Sequence, residues 1–184
     1  AVVFEAALMI YLSKINDGGK VTIGVPVLGR SGAKEKSLAG MFISTLPLTV
    51  EVGEELSELF ARISDGHKEI FRHRDAALSD ILHGLKSTAR FFDAAFSFQN
   101  ARTDIPARTE WLGNGSLEVP LSVHIDDRDS SGSYTLTIDF RTAVFSQRGE
   151  VELLAQRFIH ILKQIVSGKT VGEISVLPDA EFDM

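Results

Sequence analysis

Alternating apolar and polar residues predict five β-strands along the chain. In the first strand, Val21, Ile23 and Val25 share one face. Pro26 has no N–H to donate, so this strand is expected at a sheet edge or a bulge. The five predicted strands are residues 21–29, 38–50, 93–100, 117–126 and 133–141. The last two are predicted to form an antiparallel hairpin, because only the short turn DRDSSG joins them.

Apolar residues at helical spacing predict helices between and around these strands. The predicted helices are residues 1–15, 55–74, 78–86 and 147–167. The last helix is expected to begin after a cap at Ser146 and to end at Gly168. Beyond it, residues 174–184 are acidic and linker-like. Interleaved helices and strands predict an α/β or α+β sandwich, in which a mixed sheet carries helices on at least one face.

The composition is that of an ordinary soluble globular protein of 184 residues, 44% hydrophobic and 24% charged. A net charge of −6 and a pI near 5.4 argue against a nucleic-acid surface. The absence of cysteine excludes disulfides and thiolate sites and fits a cytoplasmic protein. The opening apolar run is interrupted by Glu5 and is shorter than the roughly 20 residues of a membrane span. Because it starts inside a predicted helix, the chain is expected to be a fragment.

Short motifs give no catalytic or metal-ligating constellation. The five histidines show no metal-ligand spacing. The sequence HRD at 73–75 lacks the asparagine that a kinase catalytic loop places five residues after Asp75. His124 and Asp126 share one strand face, which is interpreted as the exposed face of a hairpin.

Several polar residues interrupt otherwise apolar strands and are the candidate site residues. They are Ser44, Thr45, Ser97, Gln99 and Asn100. A buried polar group without a partner costs about 1–3 kcal/mol, so each needs a hydrogen-bond partner. The partner is either loop backbone or buried water, or a ligand in a tunnel that these residues line. Pro47 is expected to end strand pairing, so that the chain leaves the sheet there.

Five blocks, in order, resemble the C-terminal half of the condensation domain of nonribosomal peptide synthetases. The blocks are VTIGVPVLGRSG, AGMFISTLPLTV, HRDAALSDIL, FFDAAFSFQN and LTIDFRTAVFSQRGEVELLAQRF. They are similar to the family patterns V-x-I-G-x-P-V-x-x-R, G-x-F-V-N-T-L-x-x-R, H-Q-D-x-P-F-E-x-L, P-L-F-D-V-M-F-x-x-Q-N and L-x-x-Y-x-T-x-L-F-x-x-x-x-I-x-x-L-x-x-x-F. The chain departs from them at Ser44, where the family has Asn, and at Thr49, where it has Arg.

The resemblance implies a chloramphenicol-acetyltransferase-like half-domain over residues 1–178, with a linker starting at 179–184. It implies that Phe42, Ser44, Thr45, Ser97, Gln99 and Asn100 line a substrate tunnel. Asp75 is a weak further candidate, with a cap or an ion pair as the more ordinary role. The family's H-H-x-x-x-D-G motif, with its catalytic histidine, does not occur in this sequence. No catalytic residue is therefore assigned, and the fragment alone is expected not to turn over.

For the intact domain, the resemblance implies amide-bond formation between an acyl and an aminoacyl thioester held on carrier proteins. It implies no directly bound cofactor, with phosphopantetheine carried by the partner carrier proteins. The implied partners are the N-terminal subdomain, the carrier proteins and an adenylation domain, with no nucleic acid and no membrane. Two alternatives stay open: a non-catalytic docking domain of the same family, and a stand-alone acyltransferase of the superfamily.

Overall fold

Helices and strands alternate along the chain in the computed structural model, which describes residues 1–30, 32–84, 90–100, 115–128, 132–178 and 181, without the side chains of Lys36 and Arg148. In chain order the elements are α1 (Val2–Ile15), β1 (Lys20–Leu28), α2 (Ala33–Lys36), β2 (Ile43–Glu51), α3 (Leu56–Arg72), α4 (Leu78–Gly84), β3 (Ala94–Gln99), β4 (Leu121–Asp126), β5 (Thr135–Phe140) and α5 (Arg148–Val166). The predicted α/β class and mixed sheet are confirmed. The short helix α2 was not predicted and lies in the polar segment after β1.

The five strands form one mixed sheet in the order β2-β1-β3-β4-β5. The three central strands are parallel, and each edge strand is antiparallel to its neighbour. The predicted hairpin is confirmed, with Leu121 opposite Phe140 and Asp126 opposite Thr135.

Of the predictions made from prolines, the edge position of β1 and the end of strand pairing at Pro47 are wrong, whereas the alternative of a bulge at Pro26 stays a prediction. Strand β1, which contains Pro26, lies between β2 and β3 rather than at an edge. Its described pairing with β3 is confined to Gly24 and Ala95, so the ladder is sparse on that side. Pairing of β2 with β1 continues on both sides of Pro47, which lies opposite Gly24. Because β2 is the edge strand, a missing N–H is tolerated there and the chain stays in the sheet.

The inner face of the sheet carries the core. Val21, Ile23, Val25 and Val27 of β1 are all buried, as the alternation predicts. They pack with the apolar residues of α1, α3 and α5 in a single cluster. Helix α1 contacts α3, α5 and β1, so all residues of its 5–11 segment are buried. This position explains why the opening apolar run has no polar face.

The segment after α5 packs on the core, which corrects the linker-like prediction for its first residues. Val171 and Ile174 are buried. Gln164 on α5 fixes the backbone there: its Nε2 donates to the Ser175 carbonyl at 2.8 Å, and the Ser175 N–H donates to its Oε1 at 3.0 Å. Because both bonds satisfy the buried Gln164 side chain, the segment is held against α5.

The predicted ends of α5 are nearly right. Gly168 follows the helix with φ +83°, the left-handed conformation that glycine adopts at a helix end. The N-cap is Gln147 rather than Ser146, and its N–H donates to the Glu150 carboxylate at 3.3 Å. Val166, the last residue of the helix, is 81% exposed.

Candidate functional site

The outer face of the sheet, opposite the face that holds the core, carries a row of four side chains, three of which are polar. Thr45 of β2 lies opposite Pro26 of β1. Gly24 is paired with Ala95, so two residues further along these parallel strands Pro26 lies beside Ser97. Ser97 is in turn opposite His124 of β4. The row therefore crosses four adjacent strands on one side of the sheet.

A cavity of about 200 Å³ opens on this row. Thr45 and Ser97 line it, so two of the predicted site residues meet there. A third, Gln99, is close by, because its Nε2 donates to Ser97 Oγ at 3.3 Å. The other lining residues are Pro26, Phe92, Ala95, Phe96, Ser116, Leu117, Glu118, Val119, Ser122 and His124. The walls are therefore mainly apolar, with a few hydroxyl groups among the lining residues.

His124 connects this cavity to β5, the edge strand of the hairpin. Its Nδ1 lies 2.7 Å from Ser97 Oγ, and its Nε2 lies 3.3 Å from Asp139 Oδ2. Ser97 is 6% exposed. Burial lowers the pKa of the His124 imidazole below its ordinary value, and the Asp139 carboxylate opposes this shift only in part. Three strands thus contribute one continuous chain of hydrogen-bonding groups.

The sequence interpretation of His124 is corrected by this arrangement. His124 is half-buried and bound to Ser97, rather than on a simply exposed hairpin face. Its supposed companion Asp126 instead accepts from Arg128 Nε at 2.9 Å. Hydrogen bonds from Arg128 hold the pKa of the Asp126 carboxyl below its ordinary value. Alternation along three different strands puts Ser97, His124 and Asp139 on the same, outer face of the sheet, which the sequence interpretation did not notice.

The remaining predicted residues lie elsewhere. Phe42 is half-buried, with the Arg30 guanidinium 4.3 Å from the ring centroid. Ser44 is exposed near the start of β2, and Asn100 is exposed after the end of β3. Asp75 is exposed in the turn between α3 and α4 and makes neither a cap nor an ion pair with the described residues. None of these four is among the residues that line the cavity on the outer face.

A larger cavity, of about 600 Å³, lies toward the start of β1, and Phe92 lines both cavities. Its wall includes the end of α1, the start of β1, the residues before β3 and the start of β4, and it contains none of the predicted site residues. The larger of the two cavities is therefore not the one that Thr45 and Ser97 line. The described part of the chain contains no cluster of three or more histidine or acidic residues that could hold a metal. No helix described in the structure is long and apolar enough to cross a membrane.

Comparison with known sequences gives one family over the whole chain. The family model described as "Condensation domain" matches residues 1–184. Surfactin synthase subunit 1 of Bacillus subtilis is 30% identical over 192 residues, which cover 97% of this chain and 5% of that protein. Tyrocidine synthase 3 of Brevibacillus parabrevis is 28% identical over 193 residues, 97% of this chain and 3% of that protein. The chain therefore spans only a small part of these relatives.

Comparison with solved structures gives the same fold. The starter condensation domain of rhizomide synthetase RzmA superimposes with a TM-score of 0.78 at 21% identity, covering 96% of this chain and 45% of that one. A mutant of that domain in complex with C8-CoA and Leu-SNAC gives a TM-score of 0.86 at 22% identity, covering 96% and 43%. The first condensation domain of the calcium-dependent antibiotic synthetase, with substrate analogue 3a, gives 0.77 at 19%, covering 96% and 41%.

Proposed function

Because the chain belongs to the condensation-domain family of nonribosomal peptide synthetases, we propose that it forms one wall of a site that joins two carrier-bound thioesters through an amide bond. The observation that carries this proposal is the row of hydroxyl groups around a cavity on the outer face of the sheet. This chain covers 45% of the solved starter condensation domain. We propose that it corresponds to the C-terminal subdomain, with the N-terminal subdomain facing the outer face of the sheet, where Thr45 and Ser97 lie.

In the proposed reaction, the amine of the acceptor attacks the carbonyl carbon of the donor thioester. A C–N bond forms, the C–S bond breaks, the amine loses one proton and the leaving thiolate gains one. Thr45, Ser97 and Gln99 hold the substrates in place by hydrogen bonds, which lowers the barrier mainly through positioning. A histidine outside this chain supplies the proton transfer, as in the family's H-H-x-x-x-D-G motif. The chain alone is therefore expected to form no amide.

The proposed partners follow from the reaction. Carrier proteins deliver both thioesters on phosphopantetheine, which is bound covalently to the carriers and not to this chain. An adenylation domain loads the acceptor carrier. The net charge of −6 is distributed over 25 acidic and 19 basic side chains, and nothing in this balance favours a nucleic-acid partner.

The test uses the full-length polypeptide that contains this chain, with its carrier domains loaded with donor and acceptor. Product is measured on the acceptor carrier by intact-protein mass spectrometry. Ser97→Ala is expected to lower the condensation rate by about two- to tenfold, the value of one hydrogen bond. Thr49→Val is the matched control, because Thr49 is exposed on the same face and bonded to Thr22 at 2.9 Å.

Three outcomes contradict the proposal. Carrier binding without any amide product identifies a docking domain instead. Equal rates with free soluble thioesters and with carrier-bound ones identify a stand-alone acyltransferase. An unchanged rate for Ser97→Ala, with unfolding stability like that of the wild type, removes Ser97 from the substrate site.

A further inference from the structure

The hydrogen-bond chain on the outer face has a defined direction. Asp139 is a carboxylate that accepts hydrogen bonds, so His124 Nε2, 3.3 Å from its Oδ2, carries the proton. In a neutral imidazole the other nitrogen is then an acceptor. Burial favours this neutral form, since it lowers the pKa of His124. His124 Nδ1 therefore accepts from the Ser97 hydroxyl at 2.7 Å.

This direction leaves Ser97 with only acceptor capacity toward the cavity. A serine hydroxyl has one proton and two lone pairs. The proton is directed at His124 Nδ1, and one lone pair accepts from Gln99 Nε2 at the longer distance of 3.3 Å. The second lone pair remains for a donor in the cavity that Ser97 lines.

We propose that His124 and Asp139 hold Ser97 as a hydrogen-bond acceptor, so that the outer-face cavity selects a ligand group that donates an N–H. Ser97 contacts the ligand, and His124 and Asp139 are positioning residues that act through it. Neither positioning residue was assigned a role by the sequence patterns. The proposal rests on the proposed function only in identifying the ligand as the pantetheine arm of a carrier protein.

The cavity favours a neutral secondary amide over a charged amine. Phe92, Leu117 and Val119 give it apolar walls. An ammonium group buried there would need a charged partner to offset its desolvation. The one acidic residue of the wall, Glu118, is exposed to solvent. The volume of about 200 Å³ accommodates an amide with its flanking methylenes.

The experiment compares two probes on the full condensation domain that contains this chain. One probe is pantetheine, and the other is its isostere with the amide nearest the thiol replaced by an ester, which lacks the N–H. Binding is measured by calorimetry. The wild type is expected to favour the amide by about two- to tenfold. Ser97→Ala is expected to reduce this ratio to near one, and Asp139→Ala is expected to reduce it in part, because the His124 tautomer is then no longer fixed.

Thr137→Val is the matched control, since Thr137 lies opposite His124 on β5 and outside the hydrogen-bond chain. It is expected to keep the wild-type ratio. A second readout, which needs no ligand, is the ¹⁵N spectrum of His124 in the full condensation domain labelled with ¹⁵N at its histidines. The expected spectrum shows a protonated Nε2 and an unprotonated Nδ1. In Asp139→Ala the two tautomers are expected to mix.

The two proposals can fail separately. A protonated Nδ1 in the wild type, or an amide-to-ester ratio that Asp139→Ala leaves unchanged, overturns the acceptor role of Ser97. Amide selectivity with no condensation product overturns the proposed function and leaves the acceptor role standing. Condensation that depends on Ser97, with no selectivity between the probes, overturns the acceptor role of Ser97 and leaves the proposed function standing.

Discussion

Gly24 is a position of the sheet where an added side chain would meet a neighbouring aromatic ring. It lies on the outer face of β1, and the ring of Phe92 covers it. A Cβ built on Gly24 would lie 2.3 Å from Phe92 Cε2, 2.7 Å from Cδ2 and 2.8 Å from Cζ. Real Cβ atoms do not approach ring carbons so closely, so Gly24→Ala must displace the ring. Because Phe92 also lines the outer-face cavity, the displacement reaches the candidate site.

The magnitude follows from the two opposing effects of the added methyl group. Overpacking a well-filled site costs about 1–3 kcal/mol. Alanine in a strand is better than glycine by roughly 0.5–1 kcal/mol, because glycine loses more backbone freedom on folding. Gly24 does not have a positive φ, so alanine fits its backbone. Gly24→Ala is therefore expected to destabilise the wild type by up to about 2.5 kcal/mol.

The effect should change sign when the ring is absent. Phe92 is 8% exposed, and Phe92→Ala alone is expected to cost about 3–5 kcal/mol. In that background Gly24→Ala meets no ring and should stabilise the protein by about 0.5–1 kcal/mol. Urea unfolding of the two single variants and the double variant gives the coupling energy directly. Additive free energies would refute the close approach of the ring, and with it this explanation of the glycine.

Two further predictions concern the histidines His67 and His124. Glu5 is 2% exposed and pairs with His67 at 2.8 Å, whereas the His67 side chain is 24% exposed. His67→Leu is therefore expected to lower the free energy of unfolding by about 3–5 kcal/mol, because it leaves a buried carboxylate unpaired. Glu5→Leu is expected to lower it by less. Equal losses in urea unfolding would contradict this. The lowered pKa of His124 makes folding resist its protonation, so its contribution is complete above its ordinary value of 6.5 and is lost as the pH falls below that. His124→Gln should therefore flatten the stability–pH curve between pH 7 and pH 5, and parallel curves would contradict the shift.

The parts of the fold that were predicted depend on local backbone geometry. Side chains alternate across any strand, so the buried set Val21, Ile23 and Val25 follows from the sequence whatever the neighbours are. The hairpin could be predicted for a related reason, because its strands are joined by a short turn. Helix α5 ended as expected, since Gly168 adopts a conformation that few other residues tolerate.

The parts that failed depend on which strands become neighbours. Pro26 indicated an edge strand or a bulge, but β3 pairs with the other side of β1 after α3 and α4. No hydrophobic periodicity in the sequence shows which strands become neighbours. The contact of Ser97 with His124 depends on the parallel pairing of β3 with β4, 27 residues apart. The burial of Ile174 was missed because one apolar residue at the start of an acidic tail gives no repeating signal.

The two explanations offered for the polar residues of the strands apply to different residues. Ser97 is buried and makes its hydrogen bonds within the protein, to His124 and Gln99, so its burial costs little even without a ligand. Thr45 lies in the same row, half-buried, and its hydroxyl bonds to none of the described residues. Ser97 is thus oriented before a ligand arrives, whereas Thr45 can still rotate. Because a fixed group discriminates between ligands better than a rotating one, specificity is expected to depend more on Ser97 than on Thr45.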